Sequence, residues 1–233
     1  METFGNQEIL DAIQFGMQQG ENKYKIKINL IPDISRHIPK TQRKVLELAV
    51  EGYKKGIFIG LGLGGMETNY PTNLFTDTFS KAKKNGLRVV AHAGETVGPE
   101  SIWGAINDLK VERIGHGIRS IDDRKLVRHL SNKKIPIEVS PTSNYNLGVV
   151  NASEIHPVRK MFDSGLVCTI NTDDPAMFST SISKEYELLY NQGFTKEELY
   201  KLNMNAIDSS SLEPEKKSEL RKTLNEYKTT YNN

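Results

Sequence analysis

Arg88-Val89-Val90-Ala91 runs directly into His92-Ala93-Gly94-Glu95, and the same succession of an apolar run followed by polar or ionisable residues recurs along the chain. Arg113-Ile114-Gly115 leads to His116-Gly117, Ile135–Val139 to Ser140-Pro141-Thr142-Ser143-Asn144, and Leu166–Ile170 to Asn171-Thr172-Asp173-Asp174-Pro175. Such runs, bounded by turn residues, read as strands. Two further candidates, Lys25–Ile31 and Ile57–Leu61, precede them, and successive starts lie about 22 to 32 residues apart, the length of one strand–helix unit with its loops. Between them, Val45, Leu46, Leu48 and Ala49 mark a helix over Arg43–Tyr53, and Ile102, Ala105, Ile106 and Leu109 mark another over Ser101–Leu109. Pro157 suits a first helical turn that Gly165 later closes, Thr195 and Glu198 form a capping box, and Pro214 opens a last helix through Tyr227. Residues 229–233 read as a frayed end. Gln7–Met17 is an amphipathic helix with no strand before it. Repeated strand–helix units predict an α/β fold, a parallel sheet flanked by helices, in one domain over residues 1–233.

Composition narrows the function. The 233 residues carry 31 Lys plus Arg against 29 Asp plus Glu, a net charge of +2, which excludes binding to nucleic acid through a concentrated basic face. Hydrophobic residues at 37% and charged residues at 26% describe a globular chain with a real core. The one cysteine, Cys168, lies in an apolar run and reads as core, so no disulfide framework exists. No apolar stretch reaches the ~18 residues of a membrane span. Met1-Glu2-Thr3-Phe4-Gly5 is no secretory signal, so the expected compartment is cytoplasmic.

Parallel α/β enzymes place their sites at the carboxyl ends of strands, where the loops converge. His92 and Asp173 are nitrogen and oxygen donors of the kind Zn²⁺ accepts. Glu95, three residues past His92, can move a proton in the same pocket. His116 can hydrogen-bond a metal-bound water, and Asp174 is left to hold a substrate. The set fits metal-assisted hydrolysis, in which a metal lowers the pKa of its bound water. Each residue alone has a plainer reading: a core histidine on a backbone bond, an Asp-Asp-Pro turn, a Ser-Pro-Thr-Ser loop, a helix-entry carboxylate. Their coincidence at successive strand ends carries the argument. His37, His129 and His156 read as surface or capping residues. Gly60-Leu61-Gly62-Leu63-Gly64-Gly65 matches G-x-G-x-x-G, but Met66–Pro71 reads as loop where a dinucleotide site needs a helix. These glycines are instead expected to let a flat substrate approach the backbone.

With these residues in place, the sequence resembles the adenosine deaminase family over about residues 5–225. The resemblance rests on His-Ala-Gly-Glu at 92–95, Arg-Ile-Gly-His-Gly at 113–117, Ser-Pro-Thr-Ser-Asn at 140–144 and Thr-Asp-Asp-Pro at 172–175, in the family's order. It implies a (β/α)₈ TIM-type barrel, one Zn²⁺, and hydrolytic conversion of a 6-aminopurine, adenosine or a close relative, to the 6-oxo purine and ammonia. It further implies His92 and Asp173 as zinc ligands, Glu95 as the acid that protonates the purine ring, and His116 as the residue that orients the attacking water. Asp174 would meet purine N7, and the amide of Gly65 the ring edge. The family opens with a strand bearing His-x-His, two more zinc ligands, and no His-x-His occurs in this chain. The expectation is therefore a barrel lacking its first two βα units, Met1 as an internal methionine, and an impaired metal site. Self-association or a complementing N-terminal fragment would then cover the exposed strand edges. The alternatives are a catalytically inactive homologue that binds purines or a protein partner, and another metallohydrolase of the amidohydrolase group.

Overall fold

The computed structural model describes residues 4–231. Its strands are β1 (Asp33–Ser35), β2 (Gly60–Gly64), β3 (Arg88–Ala93), β4 (Arg113–His116), β5 (Ile137–Val139) and β6 (Cys168–Ile170), ordered in the sheet as in the chain. Every registered pair is parallel, as the alternation of strands and helices requires. The helices are α1 (Asn6–Tyr24), α2 (Gln42–Lys54), α3 (Thr76–Lys84), α4 (Pro99–Gly104), α5 (Arg124–Lys133), α6 (Pro141–Asn146), α7 (Val158–Asp163), α8 (Ile182–Asn191), α9 (Lys196–Ser209) and α10 (Pro214–Tyr231). Packing falls into two compact units, one of Met1–Ala91 with Gly104–Val111 and one of His92–Trp103 with Glu112–Asn233. No described helix is long and apolar enough to cross a membrane.

In the first unit, Leu10 of α1 packs with Ile57 and Phe58, and Ile13, Met17, Leu30 and Leu48 close around them. This cluster explains two displaced strands. Lys25–Ile31 alternates like a strand, yet Lys25 turns into the left-handed region to end α1, and the Ile28 amide donates to Glu21 Oε1 at 2.9 Å. Only Leu30 bridges to Phe58 there, and β1 begins beyond Pro32. Ile57 and Phe58 are likewise spent on the cluster, so β2 starts at Gly60. The glycines of β2 make room for neighbouring parts of the chain itself. A Cβ on Gly62 would sit 1.7 Å from Asp33 Oδ1, and one on Gly60 would sit 2.6 Å from the Arg88 carbonyl oxygen.

In the second unit, Ile114, Ile137, Val139, Cys168 and Ile170 are all buried, the pattern of parallel strands covered on both faces. Asp123 caps α5 by accepting from the amides of Lys125 at 2.7 Å and Leu126 at 3.3 Å, and Leu126 and Leu130 point inward. The Ser-Pro-Thr-Ser segment, expected as loop, is the start of α6, with Pro141 in its first turn. The capping box of Thr195 and Glu198 opens α9 as expected. At the other end of the chain's second half, α10 continues through Tyr231, past the expected fraying point at Thr229; Asn232 and Asn233 lie outside the described residues.

Helix α9 packs on β6, and Asn205 Nδ2 donates to the Cys168 carbonyl at 2.9 Å. A carbonyl left unpaired in such a place costs about 1–3 kcal/mol. Asn205→Leu should therefore lower unfolding free energy by about that amount. Denaturant titration checks this, and an unchanged midpoint would show that the bond contributes nothing.

Candidate active site

The strand-end residues of β3, β4 and β6 lie within the second unit. Gly94 lets the chain leave β3 sharply: its φ is +71°, and a Cβ there would meet Ile102 Cδ1 at 2.4 Å. The Gly117 amide then donates to the Ala93 carbonyl at 3.1 Å and the Arg119 amide to the Gly94 carbonyl at 3.0 Å, tying the ends of β3 and β4 together. Gly115 gives His92 its space, since a Cβ there would lie 3.2 Å from His92 Cδ2.

The two histidine rings meet edge to face with centroids 4.9 Å apart, and His116 Nε2 is 3.2 Å from His92 Nδ1. On its other side His116 Nδ1 lies 3.2 Å from Glu95 Oε1. Asp173 closes the arrangement from the loop after β6, its Oδ2 accepting from Ser143 Oγ of α6 at 2.7 Å. His116 and Asp173 both hold left-handed backbone, at φ +63° and +56°. That conformation costs a non-glycine residue on the order of 1–3 kcal/mol and collects at functional sites.

His92, His116, Asp173, Glu138, Ser140 and Ile170 line one cavity of about 420 Å³. That is within the size of small-ligand pockets, about 300–1,000 Å³. A larger groove of about 820 Å³, lined by residues such as Ile121, Arg124, Val127 and Lys160, contains none of the strand-end groups. Asp174 is exposed, and its Oδ1 accepts from the Met177 amide at 3.1 Å, the plainer turn-capping reading. Gly65 belongs to the first unit, with φ +85° and His37 Nδ1 2.8 Å from where a Cβ would be.

Two residues of the site are not singled out by sequence reasoning. Asn144 Nδ2 donates to Glu95 Oε1 at 3.1 Å and lies 3.4 Å from His116 Nδ1. Its Oδ1 is 3.1 Å from Nε2 of His156. His156 is fully buried rather than at the surface, and it is a capping residue as expected, its Nδ1 accepting from the Val158 amide at 3.1 Å at the start of α7; burial pushes its pKa down from 6.5 to about 3. The available signal is the His-Pro pair ahead of α7, which fixes a ring at a helix entrance. His37 is exposed as expected, and His129 is half-buried against Trp103, with ring centroids 5.1 Å apart. Cys168 is core as expected, its thiol pushed up to about 12 by burial.

His92 and Asp173 remain a zinc-type donor pair on one cavity wall. Zinc in proteins takes three or four protein ligands. Among the described residues no group of three His, Cys, Asp or Glu side chains could hold a metal ion, so those residues alone do not make a zinc site.

Histidines and carboxylates gathered at the carboxyl ends of parallel strands, around a small cavity, sit where parallel α/β enzymes place their sites. The chain belongs to the adenosine deaminase family, whose model, described as adenosine deaminase, matches residues 3–227. It is 36% identical to an adenosine deaminase of Shewanella denitrificans, covering 86% of this chain and 60% of that protein. It is 37% identical to an adenine deaminase of Ectopseudomonas mendocina, covering 86% of this chain and 64% of that one. An amidohydrolase from Burkholderia ambifaria, solved with bound zinc, superimposes with a TM-score of 0.90 at 27% identity, over 96% of this chain and 63% of its own. The chain thus spans about three-fifths of the length of these relatives. The likeness sets its six parallel strands among the barrel-type deaminases and amidohydrolases.

The buried histidine has a consequence for stability. His156 stays neutral when folded and takes a proton near pH 6.5 when unfolded, so the unfolded state binds more protons between those values. Its contribution is complete above pH 6.5 and is lost on acidification, at about 1.4 kcal/mol per pH unit. Replacing it by Gln should flatten the pH dependence of unfolding free energy between pH 6.5 and 4.5. An equal slope in both proteins would place the titrating group elsewhere.

Proposed function

We propose that this chain carries the acid–base part of a hydrolytic 6-aminopurine deaminase. The observation behind the proposal is the contact of Glu95 Oε1 with His116 Nδ1 at 3.2 Å, next to the cavity that His116, His92 and Asp173 line. The adenosine and adenine deaminases among its relatives supply the substrate class.

Deamination at C6 needs three proton-coupled events. Water must add to the carbon, the ring nitrogen must gain a proton so that negative charge does not build there, and the amino group must leave as ammonia. Protonated Glu95 gives its proton to the ring nitrogen. His116 orients the incoming water and helps take its proton, which passes on to the departing amine. Asp173, held by Ser143, lies on the same wall and accepts a hydrogen bond from the water. The C6–N bond breaks and a C6–O bond forms; as ammonia leaves, the remaining proton on the new C6 hydroxyl returns to the Glu95 carboxylate, which restores the acid, and no oxidant or reductant is required. Asp174 and Gly65 are assigned to the purine's N7 and ring edge on the family resemblance. Zinc enters no step here: among the described residues no group of three donors could hold the ion, and His92 and Asp173 are the pair that would contribute to holding it.

A second reading is a homologue that binds purines without turning them over, since His92 and Asp173 are two donors where zinc takes three or more from protein. Metal content separates the two. Zinc retained stoichiometrically through dialysis against a mild chelator supports the enzyme reading, and loss of all zinc supports the binding protein.

Glu95→Gln should lower deamination of adenosine or adenine by about 10²–10⁴-fold, the usual size of a general acid–base contribution. Purine binding, measured by calorimetry, should persist, because the amide keeps the shape of the side chain. Full turnover in the variant removes Glu95 from the mechanism. Absence of any purine binding by the wild-type chain overturns the reading itself.

A further inference from the structure

We propose that His156 is a positioning residue for this site, a neutral ring whose fixed tautomer sets the polarity of the Asn144 amide and, through it, the placement of Glu95 and His116. The functional half of this inference rests on the reading of Glu95 as the proton donor.

The direction of every bond in the series follows from its first member. The Val158 backbone N–H can only donate, and it lies 3.1 Å from His156 Nδ1. Nδ1 must therefore present a lone pair, and in a neutral imidazole the hydrogen then sits on Nε2. Nε2 faces Asn144 across 3.1 Å, so the atom opposite must accept, which makes it the carboxamide oxygen. The NH₂ end is thereby turned toward Glu95 Oε1 at 3.1 Å and His116 Nδ1 at 3.4 Å. Flipping the amide would oppose two donors at His156 and two acceptors at Glu95, inside a region where Asn144 and His156 are both fully buried.

The ring itself is held on several sides. Its own backbone amide donates to Gln192 Oε1 at 3.1 Å, at the end of α8. Gln192 Nε2 donates to the Tyr145 hydroxyl at 2.8 Å, and that hydroxyl donates to the Glu154 carbonyl at 2.8 Å. The Tyr145 ring stands edge-on to the imidazole with centroids 5.6 Å apart. Pro157, next in sequence, fixes the entry to α7. None of these groups lines the cavity at the strand ends, so His156 acts on the chemistry only through Asn144.

The test uses the full chain labelled with ¹⁵N. Long-range ¹H–¹⁵N correlation spectra report the tautomer of each histidine, and the Asn144 side-chain amide is assigned by its disappearance in Asn144→Asp. The expected result is an Nε2–H tautomer at His156. In His156→Leu the Asn144 amide should shift and exchange with solvent at least about tenfold faster, as a lost hydrogen-bond partner frees it. His156→Gln, which keeps a donor near the Nε2 position, should preserve the wild-type amide signal. In deamination assays His156→Leu should lower kcat about tenfold, the lower end for loss of an orienting partner, with KM unchanged. His156→Gln should recover most of that loss.

An Nδ1–H tautomer at His156 overturns the proposal, and so does an Asn144 amide indifferent to His156→Leu. Equal losses of kcat in the Leu and Gln variants, tracking their melting temperatures, would show a merely structural histidine. The spectra need no turnover, so a wild-type chain that fails to deaminate purines defeats the functional reading while the tautomer is still decided. If His156→Leu does not fold, the wild-type tautomer and the amide signal of the Gln variant still decide between the positioning role and its absence.

Discussion

Parallel strands all leave a sheet at the same end, and this constraint organises the second unit of the molecule. The registers Ile114 with Ile137 and Val139 with Ile170 bring the carboxyl ends of β4, β5 and β6 side by side. The bonds from Gly117 to Ala93 and from Arg119 to Gly94 bring the end of β3 to the same rim. His92 and Asp173, 81 positions apart in the chain, therefore share one neighbourhood without any local reason to do so. The apolar strand interiors supply the stability, through buried residues such as Ile114, Ile137, Val139 and Ile170. The polar strand tips gather around the cavity instead. His116 and Asp173 at that rim both hold left-handed backbone.

The same division explains what is legible in the sequence. Strands β3 to β6 are legible to within about two residues, because each is an apolar run stopped by a histidine, a hydroxyl residue or an asparagine. β1 is not. Ile26, Ile28 and Leu30 mimic a strand, while the three paired residues Asp33–Ser35 have no pattern of their own and are defined by register against Gly62–Gly64. β2 is displaced from its expected position because glycine has low strand propensity, and only its tight approach to Asp33 and to the Arg88 backbone explains five residues of Gly-Leu-Gly-Leu-Gly as a strand.

For the site, the strand-end ionisable residues His92, Glu95, His116 and Asp173 are legible as types and positions. Asn144 is visible only inside a motif whose segment reads as loop. His156 is hidden, because its importance lies in which nitrogen carries the hydrogen. That property is fixed by a backbone amide two residues on and by a partner twelve residues back. A pattern of residue types along a chain does not encode it. It follows from geometry alone, once burial has removed water as an alternative partner. The chain belongs to the adenosine deaminase family, and the hydrogen bonds from His156 through Asn144 to Glu95 lie behind the rim where the proposed chemistry is placed.

The most direct test of this account is a crystal structure of the chain soaked with a 6-oxo purine nucleoside. The account predicts purine density in the cavity walled by His92, His116 and Asp173, with a ring nitrogen at hydrogen-bond distance from the Glu95 carboxyl. Density confined to the groove beside Ile121 and Arg124, or a purine in the strand-end cavity with Glu95 turned away from its ring, would contradict it.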